Sequence, residues 1–315
     1  MVNEQTLRWI GDSFGFRVLN CRAVQGGWSA LAYRLETDHG PYFLKAYDKT
    51  RPTLAEWIRR IDGYMPVLLW LGGREELRGA ISCPVLTELG EYKLEDERFI
   101  YLVDAYIEGE TVCEERLTGI QITELAQILA MLHQIGSLCP NIPSSMREDF
   151  DIAFCGQLLR WMRDDTLPQD VRRALEPYRD KVDVKTGQLH ELARMLRQEP
   201  RPFVLCHTDV HGWNLMQAGR LILIDWEGLR LAPAEADLFA FSRDFFYDEE
   251  GAAFGNAYRA LRPEYAENAT AMEFYRVRRR LEDIHAFVEG LLSDGLEGEE
   301  REKSLWHIGK EFALL

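Results

Sequence analysis

The chain has few basic residues, no patterned cysteines and no long apolar run, and each shortage removes a class of function. Lysine and arginine number 37 against 52 aspartates and glutamates, a formal net charge of -15 over 315 residues. A surface of that sign repels phosphate backbones and anionic lipid, so nucleic acid and membrane are poor partners and a cationic ligand is better suited. The six cysteines, Cys21, Cys83, Cys113, Cys139, Cys155 and Cys206, form no C-x-x-C pair. Scattered thiols fit a reducing compartment, not a disulfide scaffold. No apolar run approaches the roughly 20 residues that span a bilayer; the longest lies in "MPVLLWLGG". The amino end, "MVNEQTLRWIGDSF", lacks an apolar signal core. A cytoplasmic protein is expected. No repeat or low-complexity tract is present.

What is there divides in two. The first fifty residues read as a three-strand meander, "NCRAVQ", "ALAYRLET" and "PYFLKAYD", separated by "GGWS" and "DHG". Residues 54–71 are long enough for a helix, although Gly63 and Pro66 interrupt it, which predicts two short helices or one with Pro66 opening its second part. "CPVLTEL" and "RFIYLVDAYI" read as further strands. After "EGET" the pattern turns helical. Thr118 and Gln121 form a capping-box pair ahead of Leu125, Ile128, Leu129, Leu132 and Ile135 at helical spacing. Short strands return at 203–225, and everything after Pro233 reads as helix. The expected class is α+β: a small β-rich lobe, 1–105, and a large helical lobe, 106–315.

The chemistry concentrates in "VLCHTDVHGWNLM", residues 204–216. An apolar strand breaks into His207, Asp209, His211 and Asn214, and the next strand, "RLILID", ends on Asp225. Asp209 can orient an incoming hydroxyl or accept its proton. Asn214 and Asp225 offer a neutral and a charged oxygen of the kind Mg²⁺ takes, and a hairpin between 216 and 221 would set them side by side. One acid followed by two oxygen ligands is what metal-assisted phosphoryl transfer needs, because that reaction asks for positioning and charge neutralisation above all. A lone Asp or Asn in a loop is ordinarily a turn former; the signal is the combined spacing H-x-D-x-x-x-x-N with the acid-terminated strand, which matches the protein-kinase catalytic loop. Zinc at Cys206, His207 and His211 is disfavoured, since Cys206 and His207 point to opposite faces of a strand and no fourth ligand stands at zinc-like spacing.

With "CHTDVHGWNLM" and "LILIDWEGLRLAPAEADL" the chain resembles the aminoglycoside phosphotransferase family, which has the bilobal protein-kinase-like fold, and within it the spectinomycin phosphotransferases. Thr208 stands where protein kinases have Arg, and "DWE" where they have "DFG". The resemblance implies ATP and Mg²⁺ as cofactors, with Asp209 catalytic and Asn214 and Asp225 on the metal. It implies a structural His207, an Asp237 that braces the catalytic-loop backbone, and a Glu227 near the metal. Lys45, in "YFLKAY", would touch the α and β phosphates, its acidic partner being Glu56 or Asp62. Gly26, Gly27 and Ser29 would form the phosphate-covering turn. The Ala105 carbonyl and Ile107 amide would read adenine, over a floor of Met216 and Ile224. Each of these apolar positions, taken alone, is more often an ordinary core residue.

The acceptor is the open end. Glu282, Asp283 and Glu289 on "RRRLEDIHAFVEGLL" would suit the ammonium groups of an aminocyclitol, or form a solvated face paired with the arginines at 278–280. Trp213 would stack on a sugar ring or contact a cation, or serve as a packing wedge. Three functions follow: a kinase of a hydroxylated, cationic small molecule such as spectinomycin; a kinase of a metabolic hydroxyl compound such as choline, a sugar or homoserine; or a kinase-fold protein that binds nucleotide without turnover. The oligomeric state is not legible.

Overall fold

The structure, a computed structural model, describes residues 2–315 apart from Gln25, Gly27, Trp28 and Asp244. In chain order its main elements are α1 (Glu4–Phe14), β1 (Val18–Ala23), β2 (Leu31–Thr37), β3 (Gly40–Asp48), α2 (Ala55–Gly72), β4 (Leu94–Glu95), β5 (Phe99–Ala105), β6 (Glu110–Thr111) and α3 (Gly119–Ile135). There follow α4 (Phe154–Trp161), α5 (Gln169–Leu175), α6 (Arg179–Gln198), β7 (Val204–Cys206), β8 (Leu215–Gln217), β9 (Leu221–Leu223), β10 (Arg230–Ala232), α7 (Glu235–Leu238), α8 (Gly251–Leu261), α9 (Ala269–Ser293) and α10 (Gly298–Leu314).

The chain separates into two compact units. One comprises Met1–Glu115, Cys139–Ile142 and Gly212–Leu229; the other comprises Arg116–Leu138, Pro143–His211 and Arg230–Leu315. The stretch with Asn214 and Asp225 therefore belongs to the strand-rich first unit, while Asp209 belongs to the helical second one.

In the first unit an antiparallel sheet runs β1-β2-β3-β5-β4, and a second runs β6-β8-β9. On β3, Leu44 and Ala46 enter a core with Ile10, Phe14, Leu35 and Val103, which leaves Lys45 on the opposite side of the strand. The meander forms as expected, but α1 precedes it. Asn3 caps that helix by accepting from the Thr6 amide, Ile10 and Phe14 are buried, and Gly15 ends it at φ 74°. Residues 55–72 form one helix, with Pro66 inside it. An interior proline costs about 3 kcal/mol; burial of Ile61, Tyr64, Met65, Val67, Leu68 and Leu71 outweighs it. "CPVLTEL" makes no strand, because Pro84 has no amide to donate; it contributes a single bridge, Pro84 to Asp104, and one bond from the Val85 amide to the Val103 carbonyl.

The second unit is mainly helical, and one of its cores buries Leu158, Leu189, Phe274, Leu281, Ile284, Val288, Ile308 and Phe312. The capping box at Thr118 and Gln121 forms. A two-stranded β7–β10 ladder delivers the chain to His207. Among the described residues no helix is long and apolar enough to cross a membrane.

Candidate functional site

In the first unit a charge cluster forms around Lys45. Its Nζ donates to Asp225 Oδ1 at 2.7 Å and to Glu227 Oε1 at 3.1 Å. Glu227 Oε1 also accepts from the Tyr47 hydroxyl at 2.5 Å and from Ser29 Oγ at 3.1 Å. Burial pushes the ammonium down, but Asp225 and Glu227 outweigh it and hold Lys45 charged, well above its ordinary range. Burial and the nearby Asp225 push the Glu227 carboxyl up. Neither Glu56 nor Asp62 is the partner of Lys45. Glu56 pairs with Arg59 and Arg60 on its own exposed helix face, and Asp62 accepts from Tyr92 and Lys93. The acid two residues beyond Asp225 takes that place instead.

The β8–β9 hairpin sets Asn214 beside the Asp225 turn: the Ile224 amide donates to the Asn214 carbonyl at 2.9 Å, and Asn214 is buried. Asp225 stands in the left-handed region at φ 67°. The turn before Asn214 needs glycine at 212, since a Cβ there would lie 1.8 Å from the Cys113 carbonyl oxygen. Trp213, next to it, is 45% exposed, so it is not a packing wedge. Gly26 makes a similarly close approach, a Cβ there falling 2.7 Å from Ala32 Cβ; Gly27 lies outside the described residues. Ala105 ends β5 opposite Tyr42, and Ile107, Met216 and Ile224 are half-buried. The described residues assigned to the nucleotide and the metal by resemblance all fall in this unit.

In the second unit the turn into Asp209 is braced from below. Thr208 takes φ 70°, uncommon for a β-branched residue. Asp237, fully buried on α7, accepts from the His207 amide at 3.1 Å and the Thr208 amide at 2.5 Å. His133 Nε2 lies 2.9 Å from the same carboxylate, and its Nδ1 lies 2.6 Å from the Tyr258 hydroxyl. The brace therefore runs through three elements, α8, α3 and α7. Cys206 shares this neighbourhood, its sulfur within 4.8 Å of ligand atoms of His133 and Asp237, but those atoms are committed to the brace.

Asp209 itself is held by an arginine and a histidine. Arg279 Nη1 on α9 donates to Asp209 Oδ1, and His211 Nε2 lies 3.2 Å from that oxygen. Burial pushes the Asp209 carboxyl up, but Arg279 and His211 outweigh it and hold the group well below the carboxylate range. Arg279 Nε reaches Asp283 Oδ2 at 2.9 Å. The neighbouring acids of α9 are also used internally. Glu282 receives Arg278 Nε at 2.7 Å, and another arginine of the helix, Arg280, pairs with Glu311 of α10 at 2.7 Å. The sequence allows either a paired helix face or acceptor acids; for Glu282 and Asp283 the pairing is what the structure shows. The sequence carries no sign of Arg279 at Asp209, or of His133 and Tyr258 behind Asp237, because each contact joins residues far apart in the chain.

A sequence profile of the phosphotransferase enzyme family matches residues 20–275. No curated protein matches by sequence. Among solved structures the chain is similar to a spectinomycin phosphotransferase in complex with ADP and spectinomycin, with TM-score 0.72 and 20% identity over 99% of this chain and 96% of that one. It is similar to an amicoumacin kinase in complex with AMP-PNP and Ca²⁺, with TM-score 0.62 and 17% identity over 98% and 93%. It is also similar to the choline kinase of Streptococcus pneumoniae, with TM-score 0.59 and 20% identity over 94% of each chain. At these identities the likeness is one of fold, the α+β kinase-like fold expected from the sequence.

Proposed function

We propose that this chain, which belongs to the phosphotransferase enzyme family, transfers the γ-phosphate of ATP to a hydroxyl of a small molecule. The observation that carries the reading is one short stretch of chain that leaves an ionised Asp209 on a braced turn in the second unit and, five residues on, enters the first unit at Asn214, ahead of the Asp225 and Glu227 that hold Lys45 there.

The roles follow from chemistry. The first unit acts as the nucleotide lobe. Lys45 serves as the compact cation for the α and β phosphates, Ser29 with Gly26 and Gly27 covers them, and Ala105 and Ile107 offer a backbone carbonyl and amide to adenine above Met216 and Ile224. Asn214 and Asp225 supply hard oxygen donors, a set that fits Mg²⁺, which neutralises phosphate charge when bound. The second unit acts as the acceptor lobe. The acceptor oxygen forms a bond to the γ phosphorus, the bond to the β–γ bridging oxygen breaks, and ADP leaves with that electron pair. The hydroxyl proton passes to Asp209. A carboxylate held so far below the usual range is a weak base, so Asp209 works first by orienting the hydroxyl; a loose phosphoryl-transfer transition state demands little more.

For the acceptor, an aminocyclitol such as spectinomycin is supported by the acidic surface, by the exposed Trp213 as a stacking face and by the fold neighbour that binds spectinomycin. Glu282 and Asp283 would meet its ammonium groups only by sharing their arginines. That sharing favours a second reading, a kinase of a metabolic hydroxyl compound, which the likeness to choline kinase also supports. A cytoplasmic location suits both. The test is coupled ADP release from Mg²⁺ and ATP, with spectinomycin, choline and simple sugars as acceptors. Acceptor-dependent release that falls about 10²–10⁴-fold in Asp209→Ala, with ATP binding retained, is the expected result. Release that no acceptor stimulates would leave a nucleotide-binding protein without turnover.

A further inference from the structure

We propose that Arg279 reads the acceptor, donating to an oxygen function on the carbon next to the reacting hydroxyl and so disfavouring acceptors that carry an ammonium there. This rests on the phosphotransfer reading and adds to it a chemical constraint on the acceptor.

The argument starts from the donor inventory. A guanidinium has five N–H groups in a rigid plane and no acceptor. Arg279 spends Nη1 on Asp209 Oδ1 and Nε on Asp283 Oδ2. Its Nη2 makes no hydrogen bond to any described residue, and the side chain is 23% exposed, so it is not sealed in the core. Two acids fix the plane. Asp283 lies one helical turn along α9, and Asp209 is itself held by His211. The ring of Phe246, 40% exposed, lies 5.8 Å from the guanidinium carbon and 5.5 Å from the His211 ring, an apolar wall beside the polar group.

A hydroxyl that comes to Asp209 comes to a carboxylate whose neighbour is this guanidinium. Whatever substituent the acceptor carries on the adjacent carbon then meets Arg279. A hydroxyl, carbonyl or carboxylate oxygen has a lone pair for Nη2 to donate into. An ammonium has none and adds a positive charge beside one already present. A charge-assisted hydrogen bond made or missed corresponds to about 10- to 100-fold in affinity. Ammonium groups elsewhere on the acceptor are not affected, so the constraint is compatible with a cationic molecule whose charge is remote from the reacting hydroxyl.

The experiment uses two matched pairs: myo-inositol against its monoamino counterpart, and trans-1,2-cyclohexanediol against trans-2-aminocyclohexanol. Each is assayed for ADP release with Mg²⁺ and ATP, and for binding by saturation-transfer NMR, on wild type, Arg279→Met and Arg279→Lys of verified melting behaviour. Wild type should prefer the oxygen member by about 10-fold or more. Arg279→Met should bring the ratio close to one and leave the KM for ATP unchanged. Arg279→Lys should keep more of kcat, because a cation still faces Asp209, yet lose the preference, because the planar fork is gone. A role confined to folding would not move the oxygen-over-amine ratio. An oxygen preference in binding without ADP release would sink the phosphotransfer reading and leave Arg279 as a selector. Turnover without the preference would do the reverse. Preference for the amine, or no binding of any of the four compounds, overturns the inference.

Discussion

Lys45 and Arg279 are each held by two acids, Lys45 by Asp225 and Glu227 in the first unit and Arg279 by Asp209 and Asp283 in the second. The charge count is the same and the consequence differs. The lysine is a compact point charge whose two acids sit two residues apart on one turn, and Glu227 has further donors in Tyr47 and Ser29. Such an arrangement would let Asp225 take another cation while Glu227 keeps the lysine neutralised. The arginine is a planar fork whose second acid lies one turn away on the same helix. It cannot slide, so it holds Asp209 in one direction. An arrangement suited to exchanging cations and one that fixes a carboxylate are thus built from the same formal charges.

Glu148 inverts the pattern and offers the largest test of it. This acid, 4% exposed, lies between two arginines, Arg278 at 2.9 Å and Arg230 at 3.2 Å, and accepts from the Phe150 amide at 2.8 Å. Burial pushes its carboxyl up, and Arg278 and Arg230 outweigh that and lower it. Glu148→Ala leaves two part-buried cations without their shared partner and should cost about 3 to 5 kcal/mol in urea denaturation. A loss well under 1 kcal/mol would mean that Glu282 suffices for Arg278 and that water or another acid satisfies Arg230, so that one shared charge is not what holds this part of the second unit.

The next effect separates exchange from fixation. Asp225→Asn should weaken ATP binding in the presence of Mg²⁺ by about 10- to 100-fold, and more severely than Asn214→Ala, because a charged oxygen holds a divalent cation more strongly than an amide does. Without Mg²⁺ the penalty of Asp225→Asn should largely vanish, since Lys45 retains Glu227. Titration of ATP with and without Mg²⁺ on both variants measures this. An unchanged metal dependence in both would remove Asn214 and Asp225 from the metal.

These two clusters also show what was legible in the chain. Asp209, Asn214 and Asp225 stand in one local pattern, strand, loop, hairpin and strand end, and local patterns are written in consecutive residues. The three-strand meander and the Thr118 capping box were readable for the same reason. Helix α1 carried a signal that the β-rich reading passed over: Asn3 as cap, Ile10 and Phe14 one turn apart, then Gly15. Pro66 left the choice between one helix and two open, because its local cost is visible in the sequence and the buried face that outweighs it is not. The partner of Lys45 and the arginine on Asp209 were out of reach, since β3 must meet the Asp225 turn and α9 must meet the Asp209 loop before either pair exists. For the arginines at 278–280 the sequence offered a choice between a paired face and free acids, and only the packing of α9 decides it.

The smallest expected effect is a difference in how the two units respond to acid. His285 lies on α9, two residues after Asp283. Its ring stacks on Trp161 at 4.8 Å and meets Phe154 edge-on at 5.7 Å, with Gln157 3.3 Å from its Nε2. Burial lowers it to about 4, with Glu282 pulling weakly the other way. A base whose folded value lies below its unfolded value contributes stability that is fully present above about 6.5 and is lost as pH falls through about 4, because the unfolded chain takes the proton first. Allowing for a ring that is only partly buried, the loss between pH 7 and pH 4.5 is about 1 to 2 kcal/mol. Asp283 works against it. Burial raises that carboxyl to about 6, so its contribution is present at low pH and is lost as pH rises through about 6. Wild type alone would therefore mix two opposite slopes, and the variant His285→Phe, which keeps a ring against Trp161 and cannot be protonated, separates them. In the first unit Asp48 is the contrast. Burial raises it, but Arg98 and Thr50 outweigh that and set it at about 2, so its contribution persists until pH falls through that value. Urea denaturation at pH 7 and pH 4.5, followed by tryptophan fluorescence, should show His285→Phe losing about 1 to 2 kcal/mol less than wild type on acidification. Equal losses would mean that the ring is protonated at its ordinary value in the folded chain, and the acid response of the helical unit would then have to come from its carboxylates.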